Sequence, residues 1–218
     1  PFVAVNCATL TTELFASELF GHKRGAFTDA RQEKRGLLLE VDKGTIFLDE
    51  IDSLSLTAQA SLLRFLQESE FRPVGSEKTF TSSARLIASS NCDLLQRVEQ
   101  GLFRRDLYYR LYILAVHMPP LRQRRQAIPS LISPFLHQFA SQYQMPAKSV
   151  TPTLISQLVS LPWPGNVREL EKSLQRLFLL TPGQVIDVEH WQPEPITTPP
   201  HRASPPSGPV EWSATAAA

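Results

Sequence analysis

The run Thr45-Ile46-Phe47-Leu48-Asp49-Glu50 is an apolar segment that ends in two acids. Ligands bind α/β sheets at the C-terminal ends of strands, and carboxylates placed there suit phosphate chemistry. Asp49 could hold a magnesium ion, directly or through water, and Glu50 could orient and polarise an attacking water. Alone, the pattern equally describes a strand that meets solvent at an acidic turn. Leu86-Ile87-Ala88-Ser89-Ser90-Asn91 ends a second apolar run in small polar residues and an amide. Asn91 could hydrogen-bond a terminal phosphate or the catalytic water, although Ser and Asn also suit an ordinary strand-end turn.

Cations form the second set. In Phe103-Arg104-Arg105-Asp106-Leu107-Tyr108-Tyr109-Arg110, Arg104 and Arg110 are close enough on a helix or its entrance to face one edge. Arginine makes forked contacts with phosphate and stabilises the charge of phosphoryl transfer. Arg105 reads instead as part of a solvated basic face with internal Arg–Asp pairing. In Trp163-Pro164-Gly165-Asn166-Val167-Arg168-Glu169-Leu170 the Pro-Gly-Asn turn predicts Asn166 as a helix cap, with Arg168 in the first turn. A cation there is disfavoured by the helix dipole, so Arg168 needs a nearby anion or water. The stretch from Gly21 to Ala30 has two glycines flanking a basic patch and one aromatic, Phe27, among polar residues. An exposed aromatic on such a loop is an interaction handle; one tucked against the core would be structural, and residue types alone leave both open.

These groups need a scaffold. Residues 2–5, 45–48, 86–88 and 113–116 are short, apolar and partly β-branched, as strands buried on both faces are. Helix-period segments at 10–20 and 56–68 lie between them, which predicts a mostly parallel α/β sheet with flanking helices. Residues 71–80 read as a short hairpin leaving that layer. After Met118-Pro119-Pro120 the pattern becomes helical at 128–143, 151–161 and 166–180, with Thr151 as cap and Pro152 at the first helical position. The expected organisation is an α/β core at 1–120, a small all-helical lid at 121–181 and a Pro-rich flexible tail or linker at 182–218.

Composition narrows the function classes. The 218 residues carry 22 Lys+Arg against 21 Asp+Glu, so bulk charge does not drive binding to nucleic acid or membrane. No apolar run approaches a membrane span. The two cysteines, Cys7 and Cys92, are far apart, which excludes a disulfide scaffold and a cysteine zinc site and suits a reducing cytoplasm. No Gly-Lys dipeptide occurs, so the phosphate-cradling G-x-x-x-x-G-K-[ST] pattern is absent, as are G-x-S-x-G and paired-His zinc spacings. The five histidines are scattered and read as structural or exposed. The chain opens at Pro1 directly on a strand-like run and reads as a fragment.

In order along the chain, these segments resemble the central AAA+ ATPase domain of bacterial sigma-54-dependent transcription activators, the enhancer-binding proteins. The resemblance covers residues 2–180 and rests on Glu18-Leu19-Phe20-Gly21-His22, Gly25-Ala26-Phe27-Thr28, Gly44 through Ile51, Phe103 through Arg110 and Trp163 through Leu170. It implies a Walker B pair in Asp49 and Glu50 for Mg2+ and water, and a switch asparagine in Asn6 that holds Glu50 according to nucleotide state. It implies a γ-phosphate sensor in Asn91 with Ser90, arginine fingers in Arg104 and Arg110, and a second sensor in Arg168. The loop Gly25-Ala26-Phe27-Thr28-Asp29-Ala30 would contact sigma-54. The family's loop reads GAFTGA, so Asp29 replaces a glycine and adds a negative charge there. The Walker A loop would lie upstream of Phe2, and the fragment itself is expected to bind ATP poorly without turnover, while its parent hydrolyses it. Further implications are a cytoplasmic homo-oligomer, a hexamer, acting on sigma-54 RNA polymerase, with no membrane and with DNA contacted only through a domain absent here. The alternative is a degenerate, non-hydrolysing AAA+ module that regulates by contact; a different AAA+ remodeller class fits Trp163 through Leu170 less well.

Overall fold

The computed structural model describes residues 1–28 and 30–191; Asp29 and most of the expected tail, 192–218, lie outside them. The chain divides into two compact units, Pro1–Val116 and the residues from His117 onward.

The first unit runs β1 (Phe2–Asn6), α1 (Thr12–Phe20), β2 (Gly21–His22), β3 (Lys34–Arg35), α2 (Leu37–Val41), β4 (Thr45–Asp49), α3 (Leu56–Glu68), β5 (Glu70–Phe71), β6 (Phe80–Thr81), β7 (Arg85–Ala88), α4 (Leu94–Glu99) and α5 (Arg105–Leu111). β1, β4 and β7 form a parallel sheet with β4 in the middle. Its register sets Asn6 beside Asp49 and Leu48 beside Ala88, so the polar ends of all three runs meet at one edge. Only central β4 has fully buried residues, Ile46 and Leu48. β1 and β7 alternate exposed and half-buried positions rather than being covered on both faces, because each is an edge of this sheet.

α3 occupies the span its periodicity predicts. The Ser55 hydroxyl accepts from Ala58 N–H at its start, and Ala58, Leu62, Leu63 and Phe65 face the core. The expected hairpin forms as a two-residue ladder of β5 with β6, where buried Phe71 meets Phe20, Phe65 and Phe80. Residues 113–116 are not a strand. Ile113, Leu114 and Val116 are exposed, because no described strand lies alongside to accept their ladder, and a strand exists only through its partner.

The second unit contains α6 (Ile128–Tyr143), β8 (Ser149–Val150), α7 (Pro152–Ser160), α8 (Asn166–Leu180) and β9 (Val185–Ile186). The three helices match the sequence expectation, including the Thr151 cap onto Leu154 N–H and Pro152 in the first turn. Their apolar faces enclose Ile132, Leu136, Phe139, Leu158, Leu174 and Phe178. Lys148 is buried. Its ammonium donates to the carbonyls of Phe178, at 2.7 Å, and Thr181, closing the C-terminus of α8, and lies 5.1 Å from the Phe178 ring centre. The tail expected from Pro182 is folded in its first part: β9 pairs with β8, Ile186 is fully buried, and Trp191 packs edge-on against Trp163 at 6.1 Å. Among the described residues no helix is long and apolar enough to cross a membrane.

Candidate functional site

At the carboxyl edge of the sheet, Asp49 ends β4 and accepts hydrogen bonds from the Ser89 hydroxyl and, at 3.1 Å, from Glu50 N–H. Glu50 then adopts left-handed backbone, φ 54° and ψ 49°. That conformation costs a side-chain-bearing residue about 1–2 kcal/mol, and it is held by Ile51 N–H donating to the Ser89 carbonyl and Ser53 N–H to that of Glu50, both at 3.0 Å. A one-turn 3-10 helix, Ile51–Ser53, follows, with Ile51 and Asp52 buried. Asp52 accepts from the Ser90 hydroxyl at 2.8 Å and lies 3.7 Å from the Arg97 guanidinium. Burial, and then the charges of Asp49, Asp52 and Glu50, push the neighbouring Cys7 thiol up to about 12. Ser89, Asp52 and Arg97 were not singled out from the sequence; the one available signal was two serines at the end of an apolar strand.

The two asparagines flank this turn differently. Asn6 accepts from Ala8 N–H at 2.8 Å and so caps the short turn Cys7–Thr9. Among the described residues no hydrogen bond joins it to Glu50, although the register sets it beside Asp49. Asn91 is exposed, and its side chain has no hydrogen-bond partner among the described residues. Ser90, paired with Asn91 from sequence, faces inward to Asp52.

Arg104 stands at the entrance of α5, where its backbone N–H donates to Gln59 Oε1 at 2.8 Å. Gln59 is fully buried on α3 and also donates to the carbonyls of Leu54 and Leu102, an anchor the sequence reading missed. The Arg104 side chain forks onto Asp106 at 3.0 and 2.7 Å, which holds the Asp106 carboxyl below its usual range. The Arg–Asp pair expected for Arg105 therefore belongs to Arg104, because the helix entrance points Arg104 back over the first turn, and Arg105 is left to solvent. Arg110, at the other end of α5, donates twice to the Leu66 carbonyl at 3.1 and 2.7 Å. In the second unit, Arg168 is exposed in the first turn of α8 with no described partner. Asn166 does not cap that helix. Its side-chain Oδ1 accepts from Leu121 N–H at 2.8 Å, and Glu169 reaches back to Gly165 N–H at 2.7 Å in its place.

The loop from residue 21 grows from a tight base. Gly21 has φ +85°, and its backbone runs so close to Gly36 that a Cβ on Gly36 would come within 2.3 Å of the Phe20 carbonyl carbon. His22 is buried between the Ser17 hydroxyl, 2.7 Å from Nδ1, and the Gln32 carbonyl, 3.0 Å from Nε2. A carbonyl only accepts, so Nε2 carries a proton. Phe27 is half-buried, edge-on to that imidazole at 4.9 Å. Gly25 N–H donates to the Ala30 carbonyl at 2.8 Å and Ala30 N–H to that of Phe27 at 3.0 Å, closing the loop over buried Ala30 and leaving Thr28 in solvent. The aromatic thus leans on the fold while Thr28 is exposed.

Among the described residues no group of three or more His, Cys, Asp or Glu side chains could hold a metal alone. Mg2+ takes one or two carboxylates and completes its shell with waters and substrate phosphates. Asp49 and Glu50, consecutive acids at a strand end beside a hydroxyl and a free amide, fit that demand.

Known proteins are similar to this chain in sequence and fold. Residues 1–117 match the model of the sigma-54 interaction domain, and residues 122–207 that of an AAA+ ATPase lid domain. The chain is 47% identical over 186 residues to the transcriptional regulatory protein ZraR of Salmonella typhimurium, covering 85% of this chain and 42% of that protein. It is 50% identical over 184 residues to the phenol regulator MopR of Acinetobacter guillouiae, covering 84% and 33%. The crystal structure of NtrX from Brucella abortus in complex with ATP superposes with a TM-score of 0.78 at 33% identity, covering 88% of this chain and 44% of that one. The chain spans less than half the length of the curated relatives cited.

Proposed function

The chain belongs to the sigma-54 interaction domain family, and from that premise we propose that it couples ATP binding and hydrolysis to the remodelling of sigma-54 RNA polymerase for promoter opening. The observation that carries the reading is the parallel pairing of β4 with β7, which brings the acids 49 and 50 beside the loop 89–91 at one sheet edge. Asp49 would hold Mg2+, whose charge offsets that of the phosphates. Glu50 orients the attacking water, with Asn6 restraining it in one nucleotide state, and Ser90 and Asn91 read the terminal phosphate. Arg168 supplies a guanidinium from the helical lid, and a bound phosphate would relieve its misfit with the helix dipole. Arg104 and Arg110 act on the nucleotide of a neighbouring copy in a homo-oligomer, a hexamer, and Arg104 must then exchange Asp106 for phosphate. Phe27 and Thr28 form the contact with the sigma factor.

A titration and a turnover assay on the full-length protein test this together. Glu50→Ala should abolish ATP turnover while nucleotide affinity persists; unchanged turnover removes Glu50 from the mechanism. Phe27→Ala should leave turnover intact and abolish binding to sigma-54. One observation favours a second reading, a non-hydrolysing module that regulates by contact: both candidate finger arginines are engaged within their own chain. Wild-type protein that binds ATP and sigma-54 without turnover would establish that reading instead.

A further inference from the structure

The carboxylate of Asp52 has none of the roles assigned above, yet it is only 9% exposed. Taking a charge out of water is costly unless it is hydrogen-bonded and paired. Its stronger contact is with the Ser90 hydroxyl at 2.8 Å; the Arg97 guanidinium at 3.7 Å sits near the outer limit of an ion pair. Ser90 Oγ also accepts from Cys92 N–H at 3.3 Å, so Asn91 is held between two tethered residues. One residue earlier, the Ser89 hydroxyl donates to Asp49 and its carbonyl receives Ile51 N–H. Consecutive serines of one loop therefore grip the acids on either side of Glu50, whose backbone is left-handed in between.

We infer that Asp52 is a positioning residue, which through Ser90 locks the Asn91 loop to the turn bearing Glu50, so that the phosphate-reading amide and the water-orienting carboxylate move as one body. The inference rests on the proposed roles of Glu50 and Asn91. It requires an acceptor oxygen at position 52 rather than a negative charge, because Ser90 is the donor.

Two measurements test it. In the full-length protein, Asp52→Ala and Ser90→Ala should each lower kcat for ATP by about tenfold or more, while ADP affinity stays within about twofold. The double variant should be no slower than the worse single one, since both remove the same Ser90–Asp52 bond on which the coupling depends. Asp52→Asn, which keeps the acceptor, should retain most of the turnover, a rescue that a charge-pairing or packing role would not give. Hydrogen exchange on the chain itself is independent of catalysis: the Ile51 and Cys92 amides should exchange faster in Ser90→Ala than in wild type. Losses that multiply in the double variant, an Asp52→Asn protein as slow as Asp52→Ala, or unchanged exchange at both amides would each overturn the inference. Glu50→Ala and Asn91→Ala proteins with normal turnover would instead overturn the underlying site reading, while the exchange result still decides whether the clamp exists. Should Asp52→Ala fail to fold, Ser90→Ala and Asp52→Asn carry both measurements.

Discussion

Asp52 in the first unit and Lys148 in the second are both buried charges, and they are used differently. Asp52 lies near other acids, bonded to a loop hydroxyl, two residues after Glu50 with its left-handed backbone. Lys148 is directed at the carbonyls that end α8 and at an aromatic face, surrounded by an apolar core. The first arrangement concentrates like charges and backbone strain at one place, which lowers stability unless a ligand or a function requires it. The second satisfies groups that any helix end leaves open. The proposed acid and amide groups therefore fall in the first unit, while in the second Arg168 is exposed in the first turn of α8.

Substitutions can sharpen or break this contrast. The largest effect expected is on turnover: Glu50→Ala in the full-length protein should lose about two to four orders of magnitude, read by steady-state phosphate release. Next comes Leu174→Ala in the core of the second unit, expected to cost about 2–5 kcal/mol in a denaturant melt. Lys148→Met should cost about 1–3 kcal/mol, because it strands the Phe178 and Thr181 carbonyls; no loss would mean that the buried cation is not a structural cap. Glu50→Gly should go the other way, raising stability by up to about 1 kcal/mol through relief of the left-handed strain while abolishing turnover. A Glu50→Gly protein less stable than wild type would break the claim that the site is strained. The smallest effect at neutral pH concerns Cys7. Its folded-state value of about 12 exceeds the ordinary 9.0, so this thiol contributes stability that is full below about pH 9 and is lost as pH rises towards 12. Alkylation at neutral pH should accordingly label half-buried Cys92 and spare Cys7 until unfolding.

Much of this scaffold is legible in the residues. Apolar periodicity and side-chain caps mark α3 and α7 because those signals are local to each helix. Strand ends carrying Asp49 and Asn91 are visible for the same reason. What the order of residues hides is partnership. Residues 113–116 have strand composition and no strand among the described residues to pair with. Asn166 looks like a cap until Leu121 competes for its oxygen. Asp52 is not distinguished by the sequence, since its burial depends on a loop almost forty residues away. Arg104 and Arg105 are indistinguishable by type, and only the entry angle of α5 assigns Asp106 to the former.

The edge-on contact of Trp163 with Trp191 has a practical corollary. Neither these indoles nor Trp212, outside the described residues, falls within Pro1–Val116, whereas three of the four tyrosines, Tyr108, Tyr109 and Tyr112, do. Indole emission is thus blind to the unit Pro1–Val116, and a chromophore placed there by substitution would give an optical signal of its own, separable by wavelength from that of the tryptophans.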